Sequence, residues 1–221
     1  MESDNLFSYL KKLAQGSEIA IGQELMPRCA ILEAHWRRYG RAINLTASHS
    51  SEALAEHVFE AMHLVALARR IEAPIADWLD VGSGGGFPGL VLAACLDAPI
   101  TLVEPRARRA AMLEIGLGAL GRRDCRVVRA RLSHGGCQVM EGSAISPSSF
   151  GYASARAVFS PEVLAAELRP WLVDGGVYFA HVIPGAKGPE GVEVARIESR
   201  RWSVRAYRAS EAARSGVERS T

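Results

Sequence analysis

The sequence predicts an α/β molecule, a doubly wound and mostly parallel sheet over residues 73–221 with an N-terminal helical extension over residues 1–72. Three observations carry this. Apolar residues in the first seventy positions recur at helical spacing, with no strand signal between them. From Trp78 onward, short apolar runs alternate with helical stretches, which implies parallel pairing through right-handed crossovers. A glycine-dense segment, Gly82 to Gly89, joins the first of those runs to the helix that follows it.

The elements follow in order. Leu6, Leu10 and Leu13 share one helical face, and Gly16 offers a stop. Leu25, Cys29, Leu32 and Trp36 form a second stripe, and Leu54, Val58, Met62 and Val65 a third, which starts near Ser51 and ends at Arg69-Arg70. Trp78-Leu79-Asp80-Val81 is the first strand candidate and Pro88 to Cys95 the next helix. Ile100 to Glu104 has strand composition, and Met112, Leu113 and Leu117 belong to a helix after it. Residues 126–128, 152–155, 177–180 and 203–207 complete the strand candidates. The Gly/Ser-rich stretch from His134 to Ser149 reads as a loop.

Composition excludes some functions. The 221 residues are 48% hydrophobic and 23% charged, enough to bury a core. No apolar run reaches the ~18 residues of a membrane span, and Met-Glu-Ser-Asp-Asn-Leu is no signal peptide. The four cysteines are scattered without a Cys-x-x-Cys pair, so neither a metal site nor a disulfide framework is expected. A reducing cytoplasm is the expected compartment. Charge is uneven despite a net +2. Arg106 to Arg131 holds eight arginines against two acids, and Arg196 onward holds seven against three glutamates. Arginine either stands in for lysine on a solvated face or meets phosphates and bases.

The glycine segment carries the chemistry. A strand that ends in glycines and feeds a helix brings backbone N–H groups close to a ligand. There is no Gly-Lys-Ser/Thr ending, so it is not a nucleoside-triphosphate loop. Gly84-x-Gly86-x-x-Gly89 formally fits a dinucleotide fingerprint, but Pro88 lies inside it and reads as a first-turn helix residue. Asp80, two residues before Gly82, gives the D-x-G-x-G-x-G form found in methyltransferases. Glu104 closes the second strand about twenty residues on, where a carboxylate can accept both ribose hydroxyls.

These residues resemble a known family. Asp80 to Gly89 followed by Leu90 is similar to the "DVGTGxGFPG" signature of the bacterial 16S rRNA guanine-N7 methyltransferases (RsmG or GidB type). Trp36 with Ile43-Asn44-Leu45-Thr46 resembles the family's "WN…xNLT", His57 its "RHxxDS", Glu104 to Arg109 its "DSxxKR", and Ala155-Arg156-Ala157 its "SRA". The resemblance runs closely from Leu25 to Arg156. It implies a Rossmann-like class I fold and S-adenosyl-L-methionine (SAM) as cofactor, held by Gly82, Ser83, Gly84, Phe87, Glu104, Pro105, Leu132, Ser133 and Arg156. It implies Arg131 and Arg156 as the residues acting on the target, and small-subunit rRNA or its 30S particle as partner, with no metal and no membrane. Oligomeric state is not readable.

The chain departs from the family pattern in places. Glu56-His57 replaces "RH", Glu60-Ala61 replaces "DS", no acid lies near Ser133, and Gly151 replaces an aspartate. The "KG" after the fifth strand is absent, with Lys187-Gly188 a few residues late, and the end at Glu218-Arg219 is expected to fall short of a last strand. His57 and His181 read first as satisfied core or interface histidines. Guanine N7 carries a free lone pair, so its methylation needs no general base, only alignment with the methyl donor. A same-fold methyltransferase with another substrate, a paralogue that binds SAM or RNA without turnover, and a nucleotide-linked dehydrogenase remain the alternatives.

Overall fold

The computed structural model describes residues 4–43, 50–133, 136–199 and 201–209. The segment Asn44-Leu45-Thr46 and the last twelve positions, including Glu218-Arg219, lie outside them.

The three stripes fold as helices α1 (Leu6–Ala14), α2 (Met26–Tyr39) and α3 (Ser51–Ala68). Local chemistry sets their ends. The Asn5 side chain accepts the Ser8 N–H while the Ser8 hydroxyl faces back, a reciprocal cap for α1. Ser50 caps α3 through the Ala53 N–H. The predicted stripe Leu54, Val58, Met62 and Val65 is buried throughout. Glu33 ties the helices to one another, accepting the Leu6 N–H at 3.0 Å and the Ser51 hydroxyl at 2.5 Å.

The sheet comprises β1 (Trp78–Val81), β2 (Ile100–Val103), β3 (Arg126–Ser133), β4 (Gly136–Glu141), β5 (Phe150–Ala155), β6 (Leu172–Val182), β7 (Val192–Glu198) and β8 (Ser203–Arg208). Its order is β4-β3-β2-β1-β5-β6-β8-β7. The central five, β3-β2-β1-β5-β6, pair in parallel, with Asp80 opposite Leu102 on one side and Ser154 on the other. β4 and the β7–β8 pair are antiparallel. Helices α4 (Gly89–Cys95), α5 (Ala107–Ala119) and α6 (Pro161–Leu168) follow β1, β2 and β5. The chain is thus the doubly wound, mostly parallel sheet with a helical extension that its sequence predicts.

Two expectations are corrected. The Gly/Ser-rich stretch is only partly a loop, because Gly136–Glu141 pairs with β3 and extends the sheet. Its flanking glycines and serines hide a short run of strand-forming residues. The sheet also holds β7, a strand that the sequence candidates do not include. β8 inserts between β6 and β7, and the alternately exposed Val-Glu-Val-Ala-Arg-Ile-Glu of β7 forms the edge. Charged residues along an edge discourage further pairing.

One apolar cluster runs from Leu6 and Trp36 through α3 and α4 to Val204 and Ala206 of β8, spanning both sides of residue 72. A second lies on the other face of the sheet, around Leu79, Leu168, Trp171 and Tyr178.

Candidate active site

The carboxyl ends of β1, β2, β3 and β5 open onto a cleft of about 770 Å³. Ligands of open α/β sheets sit along this edge, where the crossover direction reverses. All nine residues that the sequence nominated for the cofactor line it, and so does Arg131.

The loop after β1 shapes one wall. Gly82, Gly84 and Gly86 have φ of +69°, +55° and +91°, where a side chain is strained. Space is short as well. A Cβ on Gly82 would lie 2.3 Å from a Val158 methyl, and one on Gly86 would lie 2.6 Å from Leu90. At Gly84 a Cβ meets nothing closer than 3.6 Å, so there the backbone torsion is the main reason for glycine. Ser83 is buried, and its hydroxyl donates to the Asp80 carbonyl at 2.9 Å, so it reaches the cleft mainly through its backbone. The helical extension braces the loop. The Trp36 indole N–H donates to the Gly85 carbonyl at 2.8 Å, and its ring stacks on Phe87 at 4.3 Å. His57 flanks the same Phe87 ring at 5.2 Å. Pro88 is the N-cap of α4, one step before the first turn where the sequence placed it.

Asp80 lies beneath the loop and is fully buried. Its Oδ1 accepts from Ser154, whose hydroxyl in turn accepts the Trp78 indole N–H. Its Oδ2 has no hydrogen-bond partner among the described residues. Burial pushes this carboxyl up to about 6, against the pull of the Ser154 hydrogen bond.

Glu104 follows β2 and is buried at the cleft wall. Its Oε2 accepts the Gly84 N–H and its Oε1 the Arg106 N–H, both at 3.0 Å. The carboxylate therefore locks the glycine loop to the turn after β2 before any ligand arrives. Each oxygen keeps a second lone pair for a ligand hydroxyl.

The opposite side belongs to Arg156, just past β5. Its Nε donates to Glu60 Oε1 at 3.2 Å, and its Nη2 reaches Glu60 Oε2 at 2.5 Å and His57 Nδ1 at 3.1 Å. Glu60 Oε1 also accepts from His181 Nδ1 at 2.9 Å. His57 and His181 are thus satisfied histidines whose partners are Arg156 and Glu60. His57 is held below the usual histidine range by burial and by the Arg156 charge. Arg131 and Ser133 are exposed on β3, with Leu132 buried between them.

Sequence reasoning missed Arg109, Met140, Val158 and Phe159, which also line the cleft. Only Arg109 carried a signal, as part of the Glu104 to Arg109 motif. The others arrive through β4 and through the turn after β5. The arginine cluster needs a correction too. Arg122 is no phosphate-facing residue, because its guanidinium donates to the carbonyls of Ala93, Leu96 and Ala98 and pairs with Asp124 at 2.7 Å. It straps the end of α4, where carbonyls lack helical partners. Arg129 pairs with Glu141 across β3 and β4. Arg106, Arg108, Arg123 and Arg126 remain exposed. Gly151 is also explained, since a Cβ there would lie 1.8 Å from the Ile75 carbonyl oxygen.

The family model for "rRNA small subunit methyltransferase G" (GidB) matches residues 32–206. The chain belongs to this family. It is 32% identical to the ribosomal RNA small subunit methyltransferases G of Brucella ovis and Brucella suis, over 79% of this chain and 76% of theirs. Its fold is also that of a SAM-dependent methyltransferase from Aquifex aeolicus, with a TM-score of 0.50 at 10% identity over 69% of this chain and 91% of that one. Like its family, the chain is a methyltransferase that uses SAM. No helix among the described residues is long and apolar enough to cross a membrane, and no group of three or more His, Cys, Asp or Glu there could hold a metal ion.

Proposed function

We propose that this chain transfers the methyl group of SAM to N7 of a guanine in small-subunit rRNA, with SAM in the cleft after β1 and β2. The cleft suits that cofactor. Its glycine wall admits a ligand close to the backbone, the buried Glu104 carboxylate offers acceptors for two ribose hydroxyls, and Leu132, Val158 and Phe159 supply apolar surface for a flat base. Gly82, Ser83, Gly84, Phe87, Glu104, Pro105, Leu132 and Ser133 would hold it, with Arg156 beside it on the side of the target nucleotide. When bound, SAM supplies a methyl group on a cationic sulfur.

One observation carries the choice of acceptor. Among the described residues lining the cleft, the only acid is Glu104, and both its oxygens already take backbone N–H groups. The other charged residues are Arg106, Arg109, Arg131 and Arg156. A nucleophile that must lose a proton would want a base here, and guanine N7 needs none. What N7 needs is a fixed approach, and guanidinium forks can clamp the phosphates on either side of an unstacked nucleotide. Arg156 and Arg131 would take those roles, from β5 and from the exposed face of β3. Small ribosomal subunits are cytoplasmic, and this reading puts the chain there with them.

The test is methylation of purified small-subunit particles lacking the modification, followed by mass analysis of nucleosides. The expected product is 7-methylguanosine. Label on any other base would overturn the guanine assignment.

A further inference from the structure

Arg156 does not stand alone at the cleft edge. Glu60 lies on α3, 96 positions upstream, and holds the guanidinium through two contacts, at 3.2 Å to Nε and 2.5 Å to Nη2. His57, one turn earlier on the same helix, takes a further contact with Nη2 at 3.1 Å. Glu60 is itself fixed from the far side, because His181 Nδ1 donates to Oε1 at 2.9 Å. The His181 and Glu60 side chains are about nine-tenths buried, at 10% and 13% exposure, whereas Arg156 keeps 24%. None of Glu60, His57 and His181 lines the cleft, whereas Arg156 does. These contacts occupy Nε and Nη2 and leave Nη1 without a partner among the described residues.

We propose that Glu60 is a positioning residue for methyl transfer, which, oriented by His181, holds the Arg156 guanidinium at the cleft edge so that its uncommitted nitrogen meets the target nucleotide. The inference rests on the role proposed above for Arg156. A flexible arginine would lose rotamer freedom on each encounter with RNA. A carboxylate that grips the fork from behind has already taken that loss during folding, and a planar guanidinium held on one edge has a defined direction on the other. The electrostatics agree with an ionised Glu60. Burial pushes its carboxyl up, but the His181 hydrogen bond and the Arg156 charge outweigh this and leave it below the usual range. The placement also gives the departure from the family's "DS" motif a meaning, since the longer acid at position 60 still reaches the arginine of "SRA".

The test is a cycle of Glu60→Gln, Arg156→Lys and the double variant. Methylation of small-subunit particles gives kcat, and titration calorimetry gives SAM affinity. Glu60→Gln should lower kcat at least about tenfold while SAM affinity stays within about twofold. The double variant should be about as slow as Arg156→Lys alone, because both changes release one clamp. His181→Phe keeps the ring volume and removes the donor, so it should show the same non-additivity with a smaller loss, and it serves if Glu60→Gln folds poorly. If Arg156→Lys retains full activity, the reading of Arg156 fails and takes this inference with it. If Arg156→Lys is slow but Glu60→Gln and His181→Phe keep wild-type kcat, or if the losses multiply independently, the positioning role is overturned and the reading of Arg156 stands.

Discussion

Glu104 draws its two backbone partners, Gly84 and Arg106, from twenty and two positions away in the chain. Arg156, across the cleft, draws its partners Glu60 and His57 from 96 and 99 positions away. The wall at Glu104 is thus mostly a local structure, two strand ends and the turns that follow them. The clamp is a tertiary structure, in which the helical extension reaches over the sheet edge to grip an arginine. The wall at Glu104 is shaped mostly by a short run of residues, with Trp36 and His57 of the extension bracing it through Gly85 and Phe87. A clamp built between distant segments exists only once the whole fold is in place.

If the two ends are separable, they should fail separately. Asp80 offers the largest effect. Its folded value near 6 lies above the ordinary 3.8, so between those values the folded state binds the proton more tightly. Stability from this group is therefore present below about pH 4 and lost as pH rises through 6, by up to about 3 kcal/mol. Chemical denaturation of the wild type and of Asp80→Asn should show that slope only in the wild type. Identical pH profiles would mean that the loop rests on a carboxyl with an ordinary value.

Next comes Glu104→Ala, which removes an acceptor for two loop N–H groups as well as for the ligand. SAM affinity should fall by about 1–3 kcal/mol, measured by calorimetry. In contrast to Glu60→Gln, this variant should act on cofactor binding. Unchanged affinity would break the comparison at its cofactor end.

Trp36→Phe probes the bridge between the two ends. The ring stacking on Phe87 would largely survive, but the hydrogen bond to Gly85 would not, so SAM affinity should fall by about 1 kcal/mol. An effect on kcat with no change in affinity would tie Trp36 to the clamp instead.

The smallest effect is electrostatic. Log RNA affinity against log salt should lose slope by about 0.7–0.9 for each of Arg108→Ala and Arg123→Ala, without change in thermal stability. Arg122→Ala should do the reverse, lowering the melting temperature through the lost carbonyl contacts at the end of α4.

The same contrast decides what could be read in advance. The glycine loop and Glu104 were legible as a candidate site because glycines, a strand end and a following acid lie within positions 80–104, whereas Leu132 and Ser133 rest on the family resemblance alone. The central strands were legible too, from their apolar runs. β4 was not, because it lies exposed at a sheet edge without an apolar run, and the alternation of β7 is a strand signal that a search for apolar runs overlooks. Arg156 could be named from its place at the end of a strand, but its partners could not. Nothing in the spacing of His57, Glu60 and His181 shows that α3 lies against the carboxyl ends of β5 and β6. Arg122 misled for a related reason, since a buried strap and an exposed arginine look alike in a run of arginines.

The long apolar cluster bears on the order in which the molecule comes into being. During synthesis α3 leaves the ribosome early, with Leu54, Val58, Met62 and Leu64 already on its surface, yet it shares its core with Ile197, Val204 and Ala206, among the last described residues. For well over a hundred residues of elongation α1 and then α4 are the main helices packed against α3. Closure of this core must wait for the β7–β8 hairpin, which makes the far end of the chain the keystone of its beginning.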